Sequence, residues 1–119
     1  MIGITGFVNN IYLGEIYIIN NQFPSKLHVY GLKDEKLLST EYKFKQPKCL
    51  CYELASNRLF VSDSEGIYIY LIGGGLDIKK LYYLKLNENF RTITEKNGYL
   101  FCLNDKGVLS VIEIKPVQK

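Results

Sequence analysis

Apolar and polar positions alternate with a period of two in the second half of residues 37–44 and around His28, the period that a half-buried strand requires. The stretch that organises the chain is residues 59–72, an apolar run on each side of a polar turn. β-Branched and aromatic side chains fill both of its arms, and Asp63, Ser64 and Gly66 supply turn chemistry between them, so it predicts a hairpin. Residues 100–114 follow the same plan. The offset from Leu59 to Leu100 equals the offset from Gly66 to Gly107, 41 residues. A period of that size, with several short strands in each unit, predicts tandem copies of one small antiparallel sheet.

With that repeat the chain divides into three units, about residues 1–46, 47–89 and 90–119, as one all-β domain. In the first unit, strands are expected at residues 7–11, 16–19, 27–32 and 37–44. In the second they fall at 49–54, on the two arms of 59–72, and at 79–86, with Gly73-Gly74-Gly75 breaking the chain before the last. The third begins with residues 90–94 and ends with the second hairpin. Pro116 lacks an N–H and is poor in a central strand, so the third unit is expected to lack its fourth strand. Residues 1–6 are a candidate to supply it, in the same or a neighbouring copy. Gly14, Asn57 and Gly98 share one register in the first turn of each unit. Gly and Asn tolerate positive φ cheaply, so a turn of one geometry repeated three times accounts for the coincidence.

Composition narrows this picture. The chain has 119 residues, 47% of them apolar, enough for a core. Ten Tyr and six Phe against a single Ala favour strands over helices. Fifteen Lys and Arg against 12 Asp and Glu leave a small positive balance, dispersed rather than gathered in the stripe that nucleic-acid binding uses. Three cysteines, Cys49, Cys51 and Cys102, form no even framework, and a reducing compartment, cytoplasmic or nuclear, is expected. No basic-then-apolar leader opens the sequence, and no uncharged apolar run approaches a membrane span.

The blade-like stretches 59–72 and 100–114, each preceded by a strand and a permissive turn, resemble the repeats of β-propellers, most of all WD40-like repeats. The resemblance covers nearly the whole chain as about three four-stranded meanders, the last incomplete. Tyr30-Gly31, Tyr70-Leu71 and Ile112-Glu113 stand where WD40 repeats carry a Trp-Asp pair. Propellers close with four to eight blades, so three imply completion by a second copy or by another protein.

No catalytic, cofactor or metal site is expected. Cys49 and Cys51 share a strand face, but the remaining ligand candidates, His28 and Cys102, lie in other units, and buried free thiols account for them. His28 is the only histidine and sits inside an alternating strand. Asp63 and Asp105 recur at corresponding turns, where side-chain capping explains them. The triple glycine lacks the Gly-Lys-Ser/Thr ending of a phosphate loop and reads as a flexible connection. Lys43, Lys45, Lys48, Lys79, Lys80 and Lys85 lie near Tyr42, Phe44, Tyr82 and Tyr83, an arrangement that could meet RNA, yet alternation makes them the wet face of outer strands.

The expected function is a non-enzymatic protein-interaction scaffold, completed by self-association or a partner chain and making no use of membrane. Its recognition rim would carry Asn20, Asn21, Lys45, Gln46, Lys48, Asp63, Glu65, Asn87, Glu88, Asn89, Asn104 and Lys106. Replacing Asp63 and Asp105 together should leave folding intact and weaken partner binding. The alternative is an RNA-associated subunit of a larger assembly, acting through Lys43, Lys45, Lys48, Lys79 and Lys80.

Overall fold

The computed structural model describes residues 4–20 and 25–114. Among them the fold is all-β, with no helix: β1 (Ile4–Asn10), β2 (Glu15–Asn20), β3 (Ser25–Gly31), β4 (Leu37–Phe44), β5 (Cys49–Glu53), β6 (Arg58–Ser62), β7 (Gly66–Gly74), β8 (Asp77–Lys85), β9 (Phe90–Lys96), β10 (Tyr99–Asn104) and β11 (Leu109–Glu113). They form three antiparallel meanders, β1-β2-β3-β4, β5-β6-β7-β8 and β9-β10-β11, here called sheets 1, 2 and 3. Each sheet comes from one consecutive stretch of chain, as short turns between antiparallel neighbours dictate. The first strands lie side by side, β1 against β5 and β5 against β9.

The alternation seen in the sequence sorts side chains onto two faces of each sheet. Tyr17, Ile19, Leu27 and Val29 of sheet 1 pack on Leu50, Leu59, Val61, Tyr70 and Ile72 of sheet 2. The opposite face of sheet 2, with Phe60, Ile67 and Ile69, packs on Ile93, Leu100, Cys102 and Ile114. Sheet 2 is therefore a middle layer, and all five residues of β6 are buried. Full burial of each of these large side chains contributes about 1.5–3 kcal/mol. Aromatic contacts reinforce the first interface, with Tyr42 and Tyr70 ring centroids 4.9 Å apart and Phe44 edge-on to Tyr68 at 5.3 Å. Polar bonds cross it too: Gly75 N donates to Glu15 Oε2 at 2.7 Å, and Tyr42 Oη donates to the Ile78 carbonyl at 2.8 Å.

The strand pairings show one plan used three times. The rungs Val8–Tyr17–Val29, Cys51–Phe60–Ile69 and Thr94–Phe101–Val111 are equivalent, and each faces forward, toward where the next sheet sits. The rungs Phe7–Ile18–His28, Leu50–Val61–Tyr68 and Ile93–Cys102–Ser110 are equivalent in the same way and face backward. Gly14, Asn57 and Gly98 each close the first turn of their sheet with φ of 65°, 56° and 84°, but the third is a two-residue turn in which Asn97 is left-handed too, at 54°, so one turn geometry serves sheets 1 and 2 only.

Four expectations need correction. Gly73-Gly74-Gly75 is no flexible break. Gly73 and Gly74 continue β7, and Gly74 and Gly75 take φ of 107° and 57° in a tight hairpin to β8. Gly74 and Gly75 thus serve left-handed geometry, while a Cβ on Gly73 would meet only the movable tip of the exposed Asp77 side chain. Gly66 and Gly107 are not equivalent either. Ser62 pairs with Ile67 but Leu103 pairs with Leu109, so the β10–β11 turn holds one extra residue and β11 is offset by 42 rather than 41. The strand at 90–94 runs on to Lys96, leaving a turn of two residues, Asn97 and Gly98, before β10. Ile4 to Gly6 already belong to β1, so they are not free to become a fourth strand of sheet 3, and residues 1–3 lie outside the described residues.

Candidate interaction surfaces

Meander topology sends the β4–β5, β6–β7, β8–β9 and β10–β11 connections to one end of the three sheets. Backbone bonds lock them together there. Ser64 N donates to the Lys45 carbonyl at 2.8 Å, and Leu86 N and Asn87 N both donate to the Glu65 carbonyl, at 2.9 and 2.7 Å. Side chains then link sheet 2 to sheet 3: Lys48 Nζ meets Asp105 Oδ2 at 2.5 Å, and Asn104 Nδ2 donates to Glu88 Oε1 at 3.0 Å. Glu88, Asn89, Asn104, Asp105 and Lys106 line a shallow groove of about 240 Å³. Asn89 Oδ1 is buried beside it and has no hydrogen-bond partner among the described residues.

Of the residues expected on the rim, Lys45, Gln46, Lys48, Glu65, Asn87, Glu88, Asn89, Asn104 and Lys106 lie at this end. Gln46 and Asn87 hold φ of 47° and 55°, which bends the two connections sharply. Asp63 is there but turned inward. It is buried, and its Oδ1 accepts from Glu65 N, Gly66 N and Tyr83 Oη at 2.9, 3.0 and 3.1 Å. Its carboxylate belongs to the turn, not to a partner. Asn20 is also buried, with Oδ1 accepting from Lys26 N at 2.8 Å. Asn21 lies outside the described residues.

Two further surfaces lie away from the locked connections, one of them bearing Asn20 at its edge. The forward face of sheet 3 presents Phe101, Leu103, Leu109 and Val111, and the backward face of sheet 1 presents Phe7, Ile16 and Ile18. Nothing packs on either face among the described residues, and Phe7, Leu109 and Val111 are well exposed. Alternation alone could not distinguish these positions from core, because it is the same on a covered face and a bare one.

The polar clusters elsewhere are structural in their contacts. On the backward face of sheet 1, His28 bridges Ser39 Oγ (2.8 Å, through Nδ1) and Asn20 Oδ1 (3.1 Å, through Nε2). Asn20 Oδ1 can only accept, so Nε2 donates to it, and in the neutral imidazole Nδ1 then accepts from Ser39. Burial and the Lys26 charge lower the His28 pKa in keeping with that. At the end opposite the rim, buried Arg58 pairs with Glu53 at 2.7 Å. Burial raises the pKa of Glu95, and its hydrogen bond with Glu53 raises it further. Burial opposes ionisation of Glu53 as well, but hydrogen bonds with Glu95, Ser56 and Arg58 and the Arg58 charge outweigh it and hold Glu53 low.

Cys49, Cys51 and Cys102 are free thiols at the interface of sheets 2 and 3. Burial pushes Cys49 and Cys102 up to about 11 and raises Cys51 as well. Among the described residues no three His, Cys, Asp or Glu side chains come together as a metal site. The lysines considered for RNA are dispersed: Lys48 is paired with Asp105, Lys80 lies 5.9 Å from the Tyr68 ring, and Lys43 and Lys79 are exposed on β4 and β8.

No protein-family model, curated protein or solved structure matches this chain.

Proposed function

We propose that this protein is a non-enzymatic interaction scaffold, with its three sheets acting as propeller-like blades around an axis lined by β1, β5 and β9. The observation that carries the reading is the pair of bare apolar faces at the two ends of the stack. Contiguous exposed apolar surface of this kind marks sites of association in soluble proteins. The side-by-side first strands and the thrice-repeated meander support the blade geometry. The rim, with its mixed amides, carboxylates and amines, is a second contact surface. Its salt-linked Lys48 and Asp105 favour a polar protein surface of mixed charge over a uniform polyanion.

Site-specific photo-crosslinking tests this. A photoreactive residue at Leu109 on the open face, or at Lys106 on the rim, should give defined adducts in cells. The same residue at Lys79, on the outer strand β8, should not. Equal labelling at all three positions, or none at any, overturns the scaffold reading.

A further inference from the structure

The bare faces at the two ends of the stack are complementary to each other, and we infer that the forward face of sheet 3 seats on the backward face of sheet 1 in a second copy of this chain. The inference rests on the blade reading above and names the occupant of its open faces.

The internal interfaces supply the argument. Each is made by a forward face meeting a backward face, and the chain does this twice, at sheets 1–2 and 2–3. Leu109 and Val111 sit at the positions of Ile67 and Ile69 in sheet 2, by strand pairing. Ile67 and Ile69 are both 0% exposed, whereas Leu109 and Val111 are 59% and 54% exposed. Phe101 stands where buried Phe60 and Tyr17 stand in the other two sheets. On the other end, Phe7 occupies the position of Leu50 and Ile93, which are 7% and 5% exposed, yet Phe7 is 66% exposed. Ile18 stands where fully buried Val61 and Cys102 stand. So sheet 3 offers a third forward face with no backward face to receive it, and sheet 1 offers a backward face with nothing seated on it.

One chain does not bring these faces together, because its three sheets are not closed. A second copy supplies both missing mates at once: sheet 3 of each chain meets sheet 1 of the other. The result is a ring of six sheets with a two-fold axis, within the four to eight that close a propeller. A surface that pairs with its own complement on an identical chain needs no other partner.

Sedimentation of the full 119-residue chain at micromolar concentration tests the inference, and the expected mass is twice 13.7 kDa. Phe7→Lys and Val111→Lys each alter an exposed side chain, so each should fold, as circular dichroism would show, and each alone should sediment at 13.7 kDa. Mixing the two variants leaves one unaltered contact, forward face of the Phe7→Lys chain on backward face of the Val111→Lys chain, and should restore a one-to-one complex. A dimer that either single variant leaves intact overturns the head-to-tail contact, and larger polymers overturn the two-copy ring. A monomeric wild type that binds an apolar fluorescent dye, with less bound by either variant, overturns self-pairing but keeps the faces as docking surfaces for a different protein. A monomer that binds no dye overturns both.

Discussion

The Tyr83 hydroxyl donates to Asp63 Oδ1 across 3.1 Å, so the fourth strand of the middle sheet is tied to the turn between its second and third strands. The same oxygen takes two backbone N–H groups from that turn. Asp63→Ala should therefore destabilise the fold by about 2 kcal/mol, because buried donors lose their acceptor. Asp105→Ala, which removes a half-exposed ion pair with Lys48, should cost less than about 1 kcal/mol. Urea unfolding of the two single variants checks this. Removing both aspartates together should therefore cost folding stability, chiefly through Asp63, rather than leave it intact.

Gly66 and Gly107 should respond differently to substitution. A Cβ on Gly66 would lie about 1.9 Å from the Leu84 carbonyl oxygen, and backbone cannot swing aside as a side-chain tip can. Gly107 has open space around it but a φ of 79°. Gly66→Ala should cost about 2–3 kcal/mol, and Gly66→Asn at least as much. Gly107→Ala should cost about 1 kcal/mol, while Gly107→Asn should be near neutral, since Asn accepts the left-handed region. Thermal unfolding of the four variants separates steric from conformational demand.

The three thiols should be slow to react while the chain is folded. With Cys49 and Cys102 raised to about 11 by burial, only about one thiol in a thousand at those two positions is ionised at pH 8. Ellman's reagent should titrate all three cysteines quickly in guanidinium and much more slowly without it. Rapid reaction of the native chain would contradict their placement between sheets 2 and 3.

His28 should make stability fall on mild acidification. Its pKa is lowered in the fold, by burial and then by Lys26, so the folded chain resists a proton that the unfolded chain accepts. Above its ordinary 6.5 the imidazole is neutral in both states and contributes no pH dependence. As pH falls through 6.5 the unfolded state gains protons first, and stability declines. Denaturant unfolding between pH 7.5 and 5.5 should show a steeper loss for wild type than for His28→Asn. Parallel slopes would mean that His28 titrates alike in both states.

Strand content was legible because alternation is local: residues 37–44 become β4 with those bounds, and Gly14, Asn57 and Gly98 mark their turns by residue type alone. Gly73 to Gly75 misled, since a glycine run does not say whether it is loose or is there for a tight left-handed turn such as Gly74 and Gly75 make. The rim was legible in part. Topology places its connections at one end, but whether a turn carboxylate points out, like Asp105, or in, like Asp63, depends on Tyr83, a residue 20 positions away.

The sequence by itself determined that this chain would be strands in three repeated sheets, because side-chain period and turn chemistry act between near neighbours. Only the tertiary structure decided which apolar faces are covered. Phe60 and Phe101 carry the same ring at the same rung, and one is buried while the other faces outward. That difference comes from what stacks against each sheet, which no local pattern encodes.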